Sequence, residues 1–268
     1  MPEIGSQITK KELAQRLGVS RSSLYYQHKR PAIDEEVKNQ IEAVLSENPA
    51  YGHKRIALEL KLNKKRILRV MKKYGIKPYK RRAKRLRKKR DEGKQTKFEN
   101  LVEGFCPIRP NIVWAGDFTY IRYGARFIYL ATLIDIFTRE IVGFSISRFH
   151  NKEMILGALE HALLKHSPPQ YMHSDQGSEY CSREHTSLMA SLGVKISMSH
   201  KASPWENAFQ ESFYSHFKVE LGQTNRFDSL GKLIEEIHRI ISYYNERRIH
   251  SKLKMPPREY RQRFRQCV

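Results

Sequence analysis

The sequence predicts an α/β protein in which a mixed five-stranded sheet flanked by helices is preceded by small all-α helix-turn-helix modules. Three observations predict it: strand-like segments that begin abruptly at residue 111, amphipathic helical periodicity before that point, and a positive charge concentrated in the helical part. Segments 113–123, 125–137 and 140–149 are rich in Ile, Val, Phe, Tyr and Thr, with turn-like breaks at Gly124 and at Thr138 and Arg139, and read as a meander of three strands. The second (ARFIYLATLIDIF) is nearly continuous in apolar residues, which suits a strand covered on both faces. Asn151 caps a helix through residue 166 with Ile155, Leu156, Leu159 and Leu163 inward. A strand at 171–174, a helix at 182–192 and a strand at 195–199 complete the order β-β-β-α-β-α-β, after which helices follow.

Before residue 110 the periods are helical. Thr9 and Glu12 have the form of a capping box, Leu13, Ala14 and Leu17 mark one face, and Gly18 ends the turn. Ser20 caps a second short helix, 21–27, giving the layout in which a second helix enters the major groove and presents Arg21, Ser22 and Tyr25 to phosphates and base edges. Two short helices around a glycine also occur in proteins that touch no DNA. Segments 34–48, 52–61 and 63–73 read as three further helices with Ile41, Val44, Leu45, Ile56, Leu60, Ile67, Val70 and Met71 inside. Their outer faces carry Lys54, Arg55, Lys64, Lys65, Arg66 and Arg69.

The chain carries 50 Lys and Arg against 28 Asp and Glu, a formal charge of +22 over 268 residues. Residues 1–110 hold 29 of the bases and 12 of the acids, a net +17 that leaves +5 for the rest. The run KRRAKRLRKKR at 80–90, with Arg81, Arg82, Lys84, Arg85, Arg87 and Lys88, repels itself unless a polyanion lies against it. Such a surface condenses on phosphate backbones by displacing counterions, although a solvated basic face or anionic lipid would account for the run alone. Beside three basic helices it makes duplex DNA the leading partner. No segment approaches the roughly 20 apolar residues of a membrane span, and the first 20 residues lack a secretory apolar stretch, so the expectation is a cytoplasmic protein. Cys106, Cys181 and Cys267 have no disulfide or zinc-ligand spacing.

Three acids stand out. Asp117 sits in WAGDFTY (114–120), mid-strand, where a charge is costly unless compensated. Asp175 ends the fourth strand in HSDQGS (173–178), where sheets of this kind place ligands. Glu211 belongs to PWENAFQESF (204–213), at the start of a helix reaching about residue 221. Phe209, Phe213 and Phe217 form one stripe of that helix, and Asn207, Glu211, Ser215 and Lys218 lie nearly opposite. Three such carboxylates suit a pair of Mg²⁺ ions, which take oxygen ligands and assist an in-line displacement at phosphorus, with Lys218 beside a DNA phosphate. Each acid also has a plain reading: a capped turn or buried ion pair for Asp117, a turn for Asp175, a solvated helix acid for Glu211.

These words, together with YGHKRI (51–56) and YNERRIH (244–250), resemble the catalytic reading frame of insertion-sequence transposases of the IS-three family, relatives of retroviral integrases with a ribonuclease-H-like core. The resemblance spans nearly the whole chain. It implies that Asp117, Asp175 and Glu211 are a metal-binding triad, that Mn²⁺ substitutes for Mg²⁺, and that Lys218 matches the basic position seven residues after the family's Glu. It implies that water first cleaves a phosphodiester at an element end and that the freed 3′-OH then attacks another, in copy-out, paste-in transposition. The partners would be terminal inverted repeats and target DNA, bound by a dimer or larger assembly, with an upstream reading frame as a further fusion partner. The zinc module of retroviral integrases is missing from the pattern.

The expected division is helix-turn-helix 1–30, three-helix module 31–79, basic linker 80–110, catalytic core 111–225 and C-terminal helical extension 226–268. Arg248, with Tyr244, Asn245 and His250, either contacts DNA near the site or caps the core, and Trp205 either stacks on a base or fills space. Two other functions stay in competition with the transferase: a catalytically silent DNA-binding regulator, and a structure-specific nuclease of the same fold that hydrolyses without joining.

Overall fold

A computed structural model describes residues 9–25, 30–79, 98–199 and 208–265. The basic run with Arg81, Arg82, Lys84, Arg85, Arg87 and Lys88 lies outside the described residues, as do Asn207, Trp205 and the Tyr25 side chain. Helix α1 (Lys10–Arg16) opens on the expected capping box, Thr9 accepting from the Glu12 N–H while the Glu12 carboxylate accepts from the Thr9 N–H. Only Ala14 of its apolar face is buried, and Leu13 and Leu17 stay exposed. The predicted second helix is instead a 3-10 turn, Arg21–Tyr25. The Ser20 hydroxyl engages those of Ser22 and Ser23 and the Ser23 N–H, and such local bonds compete with an α-helical start.

Helices α2 (Arg30–Glu47), α3 (His53–Glu59) and α4 (Lys64–Lys73) form the predicted unit around Val37, Ile41, Tyr51, Ile56, Ile67, Val70 and Met71. Asp34 on α2 is buried and receives Arg69 in a two-pronged ion pair, 2.7 and 2.6 Å, plus Lys73 at 3.0 Å. Those hydrogen bonds hold its carboxyl well below the usual range.

Strands β1 (Val113–Tyr123), β2 (Arg126–Asp135) and β3 (Ile141–Ser147) form the antiparallel meander, and β4 (Tyr171–Ser174) and β5 (Lys195–Met198) add to it in parallel, giving the order β3-β2-β1-β4-β5. The apolar second strand is interior as expected, with Leu130 and Ile134 in one layer and Ala131 and Leu133 in the other. Helices α5 (Lys152–Leu163) and α6 (Arg183–Ser191) cover one face. Gly143 lets α5 lie against β3, since a Cβ there would fall 2.2 Å from the Ala158 carbonyl oxygen. On the other face lie α7 (Ala208–Leu221) and α8 (Leu230–Glu246). The α8 face runs through Leu233, Ile237, Ile240 and Ile241, with Ile234 only partly buried, so α8 shares the core of the sheet. Helix α9 (Pro257–Arg265) is fastened to the β2–β3 turn by Arg261, which donates to Asp135 at 3.0 Å and pairs with Glu140.

Candidate active site

The first cause of the site is a ladder that stops early. Strands β1 and β4 pair only from Val113 with Tyr171 to Ala115 with His173. Carrying the register two residues further sets Asp117 level with Asp175, one residue past the end of β4. Both acids thus stand where two adjacent parallel strands part, the place where open sheets admit ligands. Asp175 Oδ1 accepts the Gly177 N–H at 3.1 Å, and a Cβ on Gly177 would crowd both that oxygen and Glu179 Oε2 at 3.1 Å.

The third acid is placed from the opposite face by two buried side chains of α7. Gln210 is wholly buried and donates through Nε2 to the carbonyls of Ala115 (2.6 Å) and Thr132 (2.9 Å), while its Oε1 accepts from the Thr132 hydroxyl at 2.9 Å. Tyr214, one turn on, donates to the Asp117 carbonyl at 2.7 Å. With the α7 backbone fixed over β1, the residue after Gln210, Glu211, is exposed and Lys218 two turns later reaches the Tyr120 ring, its Nζ 5.3 Å from the centroid.

Electrostatics link the four groups. Burial pushes the Asp117 carboxyl up to about 7, the Phe118 N–H bonded to its Oδ1 at 2.8 Å pulls it down, the negative charges of Asp175 and Glu211 raise it, and Lys218 lowers it. The Tyr180 hydroxyl, fully buried beneath Gly116 and within reach of the Asp117 and Asp175 charges, has no hydrogen-bond partner among the described residues. Three carboxylates, two of whose charges bear on Asp117, offer hard oxygen donors of the kind that divalent cations of the Mg²⁺ class take. Among the described residues no three His, Cys, Asp or Glu side chains close on one point.

The predicted DNA contacts divide. Arg21, Ser22, Lys54, Lys64 and Lys65 are exposed, and Arg66 is half-buried. Arg69 is occupied by Asp34. Arg248 requires a correction: it is 2% exposed and pairs with Glu220 at 3.3 Å, inside a seam between the helical unit and the sheet domain. In that seam Arg55 Nε donates to the Ile249 carbonyl at 3.0 Å, the Tyr51 hydroxyl accepts the Ile249 N–H at 2.9 Å, and Tyr243 donates to Asn48. Tyr244 packs edge-to-face on Phe213 at 4.9 Å, and Asn245 exchanges two hydrogen bonds with the Ile141 backbone, so both serve the core. Their burial follows from the apolar face of α8 continuing to its last turn. Gln210, Tyr214 and Tyr180 escaped the sequence reading. The only signal for Gln210 is an uncharged polar residue next to the apolar stripe of its helix.

Two integrase core domain families match the chain, one over residues 107–204 and one over 192–257. The putative transposase InsK for insertion sequence element IS150 of Escherichia coli (strain K12) is 33% identical over 262 residues, covering 93% of this chain and 92% of that protein. The transposase for insertion sequence element IS904 of Lactococcus lactis subsp. lactis is 35% identical over 240 residues, covering 84% and 94%. Among solved structures, the simian T-cell lymphotropic virus intasome in complex with PP2A regulatory subunit B56 gamma aligns with a TM-score of 0.53 at 14% identity, over 83% of this chain and 74% of that one. That likeness is one of fold: the mixed sheet with its flanking helices has the ribonuclease-H-like arrangement of retroviral integrase cores.

Proposed function

The chain belongs to the IS-three family of insertion-sequence transposases built on an integrase core, and from that premise we propose that it is a DNA strand transferase acting on the ends of its own element. Asp117, Asp175 and Glu211 are its metal ligands, for two Mg²⁺ ions or for Mn²⁺ in their place. What supports the reading is that Asp117, mid-way along β1, comes level with Asp175 just past the end of β4, and that the charges of Asp175, Glu211 and Lys218 all bear on Asp117.

When bound, the metal ions activate the attacking oxygen and stabilise the leaving oxygen of an in-line displacement. Lys218 holds a phosphate oxygen of the strand beside the acids. Gln210 and Tyr214 keep the Glu211 helix in register with Asp117, so that the ligand set is fixed before DNA arrives. In the first displacement water breaks a phosphodiester at an element end, releasing a 3′-OH. In the second, that 3′-OH attacks another phosphodiester, so one bond forms as one breaks and no covalent enzyme intermediate is needed. Copy-out, paste-in transposition uses these two steps in order.

The exposed bases of the helical unit, Lys54, Lys64 and Lys65, with Arg21, Ser22 and the run from Arg81 to Lys88, grip terminal repeats and target as duplex DNA. Two ends require two centres, so the working form is a dimer or larger assembly on DNA. No helix among the described residues is long and apolar enough to cross a membrane, and we assign the activity to the cytoplasm.

An oligonucleotide joining assay tests the proposal. Asp175→Asn is expected to abolish metal-dependent cleavage and the joining of a pre-cleaved 3′-OH end while retaining duplex binding. Intact joining by that variant refutes the triad. Cleavage without joining by the unaltered chain supports a hydrolytic nuclease in its place.

A further inference from the structure

A cleft of about 780 Å³ shares Lys218 with the four charged groups, and the rest of its lining has no part in the chemistry above. Its lining includes Tyr79, Tyr120, Arg122, Lys218, Thr224 and Asn225. Two features set it apart from an ordinary surface hollow. First, it displays aromatic faces to solvent: Tyr120 is 60% and Tyr79 57% exposed, and Tyr120 is held edge-on against Phe127, itself 47% exposed, ring centroids 5.5 Å apart. Second, cations border those faces. Lys218 Nζ stands 5.3 Å from the Tyr120 ring, and Arg122 is steadied by donating to the Gly124 carbonyl at 3.3 Å while its own carbonyl accepts the Thr224 hydroxyl.

The cleft is joined to the acids by the same strand. Tyr120 lies three residues beyond Asp117, roughly 10 Å along β1 and with its side chain on the alternate side of the strand. The β4 ladder has already ended at Ala115, so among the described residues this stretch of β1 pairs with β2 alone. Lys218 belongs to both places, lowering the Asp117 carboxyl and lining the cleft. A ligand that suits the cleft must present flat π-faces a short step from a phosphate. Stacked duplex hides its base faces and meets a protein mainly through phosphates and groove edges, whereas unpaired nucleotides stack on aromatic side chains flanked by cations.

We propose that this cleft receives one or two unpaired nucleotides of the strand that continues from the phosphate at the acids, with a base on Tyr120, a second aromatic wall at Tyr79, and the backbone along Lys218 and Arg122. Because aromatic stacking accepts any base, the subsite senses strand separation rather than sequence. The assignment rests on the strand-transferase reading.

The test uses the full chain without divalent metal, so that binding is read apart from chemistry. Fluorescence anisotropy compares a blunt duplex with the same duplex bearing a short single-stranded tail, 2-aminopurine in the tail reporting stacking by quenching. Tyr120→Ala is expected to weaken tailed-duplex binding about 5- to 100-fold, to abolish the quenching and to leave blunt-duplex binding within about twofold. Tyr120→Phe keeps both the affinity and the quenching, and Tyr79→Ala shows a smaller loss of the same kind. Equal losses on both DNAs, or none on either, overturn the assignment while leaving the transferase reading in place. Failure of the unaltered chain to bind either DNA overturns both.

Discussion

Replacing Gln210 with Met tests whether buried polar bonds, rather than the phenylalanine stripe, fix the helix that carries Glu211. The side chain is wholly buried and makes three hydrogen bonds, to Ala115, to Thr132 and from the Thr132 hydroxyl. At about 1 kcal/mol net for each, their loss costs about 3 kcal/mol, and leaving a buried carbonyl without its partner adds about 1–2 kcal/mol. Met has nearly the volume of Gln, so no cavity enlarges the figure. The expected destabilisation is therefore about 4–5 kcal/mol, a large fraction of the roughly 5–15 kcal/mol that holds a domain together. Urea unfolding gives the number. Thr132→Val, which spares the two backbone bonds, should cost less, and the double variant less than the sum of the two, because both break the same bond. If Gln210→Met unfolds within 1 kcal/mol of the unaltered chain, the polar tie is incidental and the stripe alone positions Glu211.

Other expectations follow from packing and charge. Gly143→Ala places a Cβ 2.2 Å from the Ala158 carbonyl oxygen and 2.7 Å from the Ala162 Cβ, so β3 and α5 must separate, at about 2–3 kcal/mol in urea unfolding; an unchanged midpoint refutes this close approach. Asp117 titrates at about 7 in the fold against an ordinary 3.8, so between those values the folded state holds the extra proton. The contribution of Asp117 to the stability of the metal-free chain therefore shrinks as pH rises from about 4 to 7, opposing that of the buried histidines, Asp117→Asn removes it, and Mg²⁺ binding followed by calorimetry weakens below about pH 7 as protons compete. His216 and His250 have the opposite sign. Burial first, and then the charges of Arg248, Arg55 and Arg139 around them, push His216 down to about 3 and His250 to about 4, so the unfolded chain takes up protons first and stability falls as pH drops below about 6.5. The slope is at most about 1.4 kcal/mol per pH unit for each, and substitution of both by Gln should remove it from melts recorded between pH 4.5 and 7.

What could be read from the sequence follows the range of the interactions involved. The span of β1, the α7 stripe and the three-helix unit rest on periods of two and 3.6 residues, which neighbouring side chains reveal. The acids were legible because carboxylates at a strand centre and a strand end are chemically out of place. The 3-10 turn at 21–25 was not, since hydroxyl-to-hydroxyl bonds among Ser20, Ser22 and Ser23 decide it and no period records them. Arg55 and Arg248 look like any other bases on amphipathic helices. Only tertiary packing turns them inward, Arg55 against the Ile249 carbonyl 194 positions away and Arg248 against Glu220 of helix α7. Tyr180 and Gly116 are invisible for the same reason: each permits the other, 2.8 Å from hydroxyl to the missing Cβ.

The short β1–β4 ladder has one more implication. With only three rungs on the Asp117 side, the direction of β4 is governed from its other flank, by four pairs with β5 and by the Ser197 hydroxyl, which meets His173 Nδ1 at 3.1 Å and accepts the Leu101 N–H at 2.9 Å. Substitutions at Ser197, behind β4, are therefore expected to alter the spacing of the first two acids through the strand that carries the second of them.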